Sequence, residues 1–222
     1  MEPGRAARWP QVVAGAVSRV AGAEVVASFR TSQPLVALTV DDGPHPATTP
    51  ALLDVLARAG AVATFFVIGE RARAHPALLP GIVAAGHELG NHLERDEPSV
   101  LLAAAVFEAQ LATTHALLAA HAPVRWFRPG SGWFTPGMLR AGARLGYRCA
   151  LGSPGLAVTD HRRPGATGTR LAARAGAGDV VVLHEGTPER AGVAALAEAL
   201  LAGLAARGLR AASLSAVAAA AV

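Results

Sequence analysis

Leu35-Val36-Ala37-Leu38-Thr39-Val40-Asp41-Asp42-Gly43-Pro44 runs from a short apolar stretch straight into two adjacent carboxylates and a turn. A run that is apolar almost throughout is the pattern of a parallel strand buried on both faces, whereas a half-exposed strand would alternate. Thr48 or Thr49 ahead of Pro50 then gives a helix start with proline at the first helical position, and Gly60 gives its stop. The same strand–turn–helix unit recurs along the chain. Further strands are expected at 63–68, 87–91, 124–128, 147–151, 179–184 and 209–213. Helical patterns fall between them: one through Ala85, one over 99–120 as the longest, one over 135–146, a short one before 179, one over 188–207, and a terminal alanine-rich one.

Seven strands alternating with helices predict an α/β architecture of parallel strands joined by right-handed crossovers. Periodicity does not choose between an open sheet and a closed barrel, but the polar residues do. Asp41 and Asp42 follow the first strand, His92 the third, Arg128 ends the fourth and His184 the sixth. All stand at C-terminal strand ends, where parallel α/β folds build their sites, and their convergence favours closure into a barrel.

The bulk properties set bounds. At 222 residues, 52% of them apolar, the chain suits one well-cored domain rather than two. The expected division is an N-terminal helical extension over 1–32 and the α/β domain over 33–222. No uncharged apolar stretch reaches the roughly 18 residues of a membrane span. The apolar run 12–17 is cut off by Arg19, which makes a poor signal peptide. The net charge is +4, every basic residue being arginine, and the pI is about 10.8. The arginines are scattered rather than clustered, so nucleic acid is not an expected partner. The single Cys149 excludes an intrachain disulfide and a multi-cysteine zinc site, and its apolar surroundings mark it as core.

Taken singly, the polar residues are ambiguous. Two adjacent carboxylates are costly to crowd unless a cation or shared proton relieves them, yet Asp-Gly-Pro is also ordinary turn chemistry. His92 and Asp96 stand four residues apart, a spacing that puts both on one face of a helical turn to grip an ion. Asp96 could equally cap the helix beginning near Ser99. His87-Glu88-Leu89-Gly90-Asn91-His92 is one residue too long for the zinc-protease H-E-x-x-H, and Gly90 suits no helix interior. Arg128 needs a partner, either a catalytic carboxylate or a structural one. His184 is placed for acid–base work, with a satisfied core histidine as the rival.

In this order the segments resemble the polysaccharide deacetylase (NodB-homology) family of carbohydrate esterases over about 33–215. The resemblance rests on Thr39-Val40-Asp41-Asp42-Gly43-Pro44, Ala63-Thr64-Phe65-Phe66-Val67-Ile68-Gly69, Gly86-His87-Glu88-Leu89-Gly90-Asn91-His92, Phe127-Arg128-Pro129 and Leu183-His184. It implies a distorted (β/α)7 barrel and hydrolytic removal of an N-acyl group from an amino-sugar glycan or glycolipid. It further implies Asp41 as general base, Arg128 as the group that orients it, and His184 as the acid that protonates the departing amine. Asp42 and His92 become ligands of a divalent metal, zinc first, with manganese or cobalt as alternatives. Asp96 stands where the family has a second metal-binding histidine, and is expected to be the third ligand. Gly130-Ser131-Gly132-Trp133 departs from the usual Pro/Tyr pair, no D-x-x-D-W segment is recognisable, and Asp160 is a weak candidate to support His184. Glu185 replaces the usual aspartate after that histidine. The resemblance implies a cell-envelope or secreted setting, while the poor signal peptide leaves a cytoplasmic one open. The alternative is a catalytically silent, glycan-binding barrel of the same fold.

Overall fold

A computed structural model describes residues 17–20, 22–158 and 161–222. A hairpin of β1 (Val17–Val20) and β2 (Ala23–Val26) comes first. The seven strands expected from the sequence follow, all present, as β3 (Leu35–Asp41), β4 (Thr64–Val67), β5 (Glu88–Asn91), β6 (Trp126–Phe127), β7 (Arg148–Ala150), β8 (Val180–His184) and β9 (Arg210–Ala212). The sheet order is β1-β2-β7-β6-β5-β4-β3-β8, antiparallel between β1 and β2 and parallel elsewhere. β9 pairs with the first residues of β3, Leu35 to Ala37. Ala37 is also matched to Val180 on β8, so β9 lies on the opposite side of β3, along the edge shared with β4. Single bridges, Ser28 with Asp179 and Ala157 with Val182, draw the two ends of this curled sheet together. The result is the distorted barrel expected from the sequence.

The N-terminal expectation is corrected. Residues 1–16 lie outside the described part, and Val17–Val20 and Ala23–Val26, expected to be helical, form the hairpin instead. Val25 and Val26 are fully buried, and β2 covers the edge that β7 would otherwise leave open. The barrel domain therefore begins ahead of residue 33.

The helices follow with adjusted ends. α1 is Thr49–Arg58, and the pattern through Ala85 is two helices, α2 (Gly69–Ala74) and α3 (Leu78–Ala84), broken at His75-Pro76. The longest helix, α4 (Ala104–Ala119), is preceded by a separate 3-10 turn at Ser99–Leu101. α5 (Pro136–Arg144) starts at Thr135, whose hydroxyl accepts from the Met138 N–H. α6 is Pro164–Arg174, α7 is Val193–Ala206 after a turn at Pro188–Arg190, and α8 is Leu214–Ala219. Among the described residues no helix is long and apolar enough to cross a membrane.

Strand alternation sorts the chain into two layers. Val36, Leu38, Val40, Phe65, Val67, Leu89, Val181 and Leu183 face the helices in the larger core cluster. Ala37, Phe66, Trp126, Ala150 and Val180 point into the barrel, where Leu214 and Val217 of α8 pack with them. The Trp126 indole N–H donates to the Ser215 hydroxyl at 2.9 Å, tying α8 to the interior set. Continuing that inward parity two residues at a time reaches Asp41, Arg128 and His184. The alternation that fills the barrel thus aims the polar strand ends at one point.

Candidate active site at the barrel mouth

Asp41, Asp42, His92, Arg128 and His184 line one cavity of about 710 Å³. Asp41, Asp42, His92 and Arg128 are buried, while the His184 side chain is 22% exposed and reaches the opening. Adjacent strand residues normally point to opposite faces. Asp42 escapes this by adopting φ 71°, a left-handed conformation that aspartate tolerates better than most residues. The turn lets both carboxylates approach one imidazole: His92 Nε2 is 3.2 Å from Asp42 Oδ1 and 4.0 Å from Asp41 Oδ2. Gly186 seals the other side of the turn, since a Cβ there would stand 2.2 Å from the Asp42 carbonyl oxygen.

His92 is oriented by its own surroundings. Its Nδ1 lies 2.7 Å from the Arg128 carbonyl oxygen, which can only accept, so Nδ1 carries the proton and Nε2 is turned to the carboxylates. Asn91 fixes the loop: its Oδ1 accepts from the Leu93 N–H, and its amide donates to the Leu111 carbonyl and the Tyr147 hydroxyl. Burial alone would lower the His92 pKa; the hydrogen bond to Asp42, the charges of Asp41 and Asp42, and the Arg128 carbonyl raise it above the ordinary histidine value. Burial would likewise raise Asp42. The His92 hydrogen bond, the His92 and His184 charges and the Arg190 hydrogen bond together hold it well below the usual carboxylate range.

Arg128 is fully engaged. Its Nη1 donates to Asp41 Oδ1 and to the Thr39 hydroxyl, its Nε to the Ala150 carbonyl and its Nη2 to the Leu151 carbonyl. The guanidinium also lies 4.1 Å from the centroid of the Phe66 ring. Asp41 Oδ1 is thereby taken up by Arg128, and Oδ2 is left toward the cavity, 3.9 Å from His184 Nε2. His184 Nδ1 is buried and has no hydrogen-bond partner among the described residues. Asp160, the weak candidate to support it, lies outside them.

The expected third ligand is not brought in. Asp96 lines the same cavity, but its side chain is 43% exposed and its Oδ2 accepts from Arg71 Nη2 at 2.9 Å. Arg71 also donates to the Asp42 carbonyl at 2.6 Å, which fixes the guanidinium between the two segments. The donor chemistry fits a divalent cation at two positions, a buried carboxylate oxygen of Asp42 and the ring nitrogen Nε2 of His92. Among the described residues no group of three His, Cys, Asp or Glu side chains stands ready to hold a metal.

The roles of two residues at the site escape sequence reasoning. Arg190, from the turn Pro188–Arg190, donates to Asp42 Oδ2 at 2.5 Å and to the Glu185 carbonyl at 2.7 Å. Glu185 is wholly buried beneath the turn; its Oε2 accepts from the Thr49 hydroxyl and its Oε1 has no partner among the described residues. A lone arginine after a strand carries no local pattern. Glu185 does carry one, since the apolar run that ends directly before His184 marks the segment as buried.

An aspartate bound by a buried arginine, a facing histidine and a second carboxylate–imidazole pair thus meet at the mouth of the barrel. The polysaccharide deacetylase family model matches residues 29–150, and the chain belongs to that family. It is 33% identical over 183 residues to a peptidoglycan-N-acetylglucosamine deacetylase of Bacillus cereus, covering 76% of this chain and 81% of that one. It is 36% identical over 163 residues to a chitooligosaccharide deacetylase of Sinorhizobium fredii, covering 71% and 75%. Among solved structures, the peptidoglycan deacetylase PdaC of Bacillus subtilis superposes with a TM-score of 0.76 at 26% identity, covering 85% of this chain and 92% of that one. A CE4 family pseudoenzyme from Bacillus anthracis has the same fold, with a TM-score of 0.78 at 21% identity over 87% and 68% of the two chains.

Proposed function

We propose that this chain is a hydrolase that removes an N-acyl group, acetyl in the simplest case, from an amino-sugar glycan. The observation that carries this reading is Asp41, paired with the buried Arg128 and facing His184 at 3.9 Å in an open cavity. Family membership and relatives that deacetylate chitooligosaccharides and peptidoglycan supply the substrate class, an N-acetylglucosamine-containing oligomer or polymer.

The chemistry follows from the side chains. Asp41 Oδ2 takes a proton from a water as the water oxygen bonds to the acyl carbon. Arg128 holds that carboxylate correctly turned. The C–N bond then breaks, and His184 in its protonated form delivers a proton to the nitrogen, since an amine leaves poorly without one. Asp42 and His92 are the residues that would hold a divalent metal (zinc first, manganese or cobalt as alternatives), whose contribution when bound would be Lewis-acid polarisation of water and carbonyl. Asp96 would join them only by leaving Arg71.

A silent, glycan-binding barrel is the second reading, favoured by the engaged Asp96. Acetate release from N-acetylated chitooligosaccharides and peptidoglycan fragments, with and without added Zn²⁺, Mn²⁺ or Co²⁺, separates the two. Release by the wild type and its loss in Asp41→Asn is the expected result. Glycan binding without release under every metal condition would establish the silent barrel instead.

A further inference from the structure

The carboxylate expected to anchor the metal already has a cation. Asp42 presents Oδ1 to His92, and its second oxygen, Oδ2, is occupied by Arg190 Nη1 at 2.5 Å. That guanidinium is itself anchored by its bond to the carbonyl of Glu185, in the tight turn that follows β8. Charge is balanced without any metal: Asp41 pairs with Arg128 and Asp42 with Arg190, while Asp96, the remaining candidate ligand, pairs with Arg71. A divalent ion entering between Asp42 and His92 would meet the Arg190 guanidinium at hydrogen-bonding distance from the same carboxylate, a like-charge contact in a partly dehydrated site. Arg190 can relieve it. Its side chain is 28% exposed, so the head can swing to solvent without uncovering core, whereas Arg128, at 4% exposed with four protein acceptors, cannot.

We propose that Arg190 is a built-in competitor for the metal: it neutralises Asp42 in the metal-free protein and must release that carboxylate before a divalent cation is held. The proposal rests on the reading of Asp42 and His92 as the metal-holding pair. It assigns Arg190 a positioning role, tuning how tightly and how selectively the site takes a cation, and it makes metal loading of this chain depend on a residue outside the ligand set. Arg71 is the corresponding restraint on Asp96, at a more exposed and weaker pair.

Metal affinity tests it without reference to turnover. Metal-free wild type, Arg190→Gln, Arg190→Lys, and Asp42→Asn in the wild-type and Arg190→Gln backgrounds are titrated with ZnCl2 and MnCl2 by calorimetry and by competition with a chromogenic chelator. Thermal melts in chelator report folding. Arg190→Gln is expected to bind at least about tenfold tighter than wild type, since a close charge pair no longer has to be broken. Arg190→Lys, which keeps a shorter cation, should fall between them, and Asp42→Asn should erase the gain. Equal or weaker affinity in Arg190→Gln, with Asp42→Asn still abolishing binding, would overturn the role of Arg190 and leave the metal pair standing. No binding by any folded variant would overturn both.

Discussion

Arg128 Nη1 donates to Asp41 Oδ1 across 87 residues of sequence, with each side chain only 4% exposed. Two charges at that depth are tolerable only together, because the guanidinium has carbonyl and hydroxyl acceptors for its other N–H groups and the carboxylate has the guanidinium. Arg128→Met leaves Asp41 as an uncompensated buried anion and is expected to cost about 3–5 kcal/mol of stability. Asp41→Asn in that background removes the stranded charge and should recover part of the loss. Urea unfolding of the two single variants and the double variant measures the coupling. Strictly additive losses would show that the pair does not act as a unit.

The fold was legible because burial on both faces and strand-to-helix alternation are one-dimensional patterns. Strands β3, β4 and β8 could be placed from apolar runs, and the parity that carries Ala37 inward carries Asp41 to the same side. The hairpin of β1 and β2 was not legible, since Arg19 and Glu24 interrupt its apolar residues and its alanines and valines suit either structure. At the site, residues belonging to strand ends were found and residues recruited from elsewhere were not. Arg190 reaches Asp42 from 148 positions away, and Arg71 captures Asp96 from 25 away, so no local spacing foretells either pair. The i, i+4 spacing of His92 and Asp96 brings both to one ion only if the segment is a helical turn. Leu93 instead takes φ 66°, which ends any such turn at once.

The acid and the base can be separated by the leaving group. His184→Gln is expected to lower turnover of an N-acetylated chitooligosaccharide by about 10²–10⁴-fold, the usual worth of a positioned general acid. On an aryl acetate the phenolate departs without a proton, so the same variant should lose little. Asp41→Asn, which impairs attack by water, should be defective on both substrates. Steady-state rates on the two substrates provide the check. An equal loss on amide and aryl ester in His184→Gln would remove His184 from the acid role.

Two buried groups tilt stability with pH in opposite directions. Burial raises the Glu185 carboxyl from 4.5 to about 7, against the lowering by Thr49 and Thr48. Its folded-state pKa lies above the unfolded value, so its contribution is complete below about pH 4.5 and is lost as pH rises toward 7. Burial lowers His87, packed on Phe65, from 6.5 to about 4. A depressed histidine favours the fold above pH 6.5 and costs stability as pH falls to about 4. Between about pH 4.5 and 6.5 the two slopes cancel in the wild type. Glu185→Gln should unmask a rise in stability with pH across that window, and His87→Gln a fall. Chemical unfolding at half-unit pH steps reads both, and parallel curves for all three proteins would refute the assignment.

Helix α6 closes on α7 through Gly168, where a Cβ would stand 2.3 Å from the Leu196 carbonyl oxygen, 2.9 Å from the Ala199 Cβ and 2.9 Å from the Leu200 nitrogen. Alanine gains about 1 kcal/mol over glycine in helix propensity, but here backbone of the facing helix occupies the added atom's place and cannot swing aside as a side chain would. Gly168→Ala is therefore expected to destabilise by about 1–3 kcal/mol through separation of the two helices. Gly165, one turn earlier in α6, has open space where a Cβ would stand, with nothing within 4 Å, so Gly165→Ala should be neutral or stabilising by up to about 1 kcal/mol. The same substitution in one helix thus carries opposite signs, and paired urea midpoints decide whether close approach or propensity governs this contact. Because Gly168 and Leu171 of α6 and Leu196 and Leu200 of α7 are buried together behind β8, loosening them should also disturb the strand that ends in His184. A fall in the activity of Gly168→Ala under conditions where it remains folded would register that displacement, and unchanged kinetics would confine the effect of Gly168 to stability.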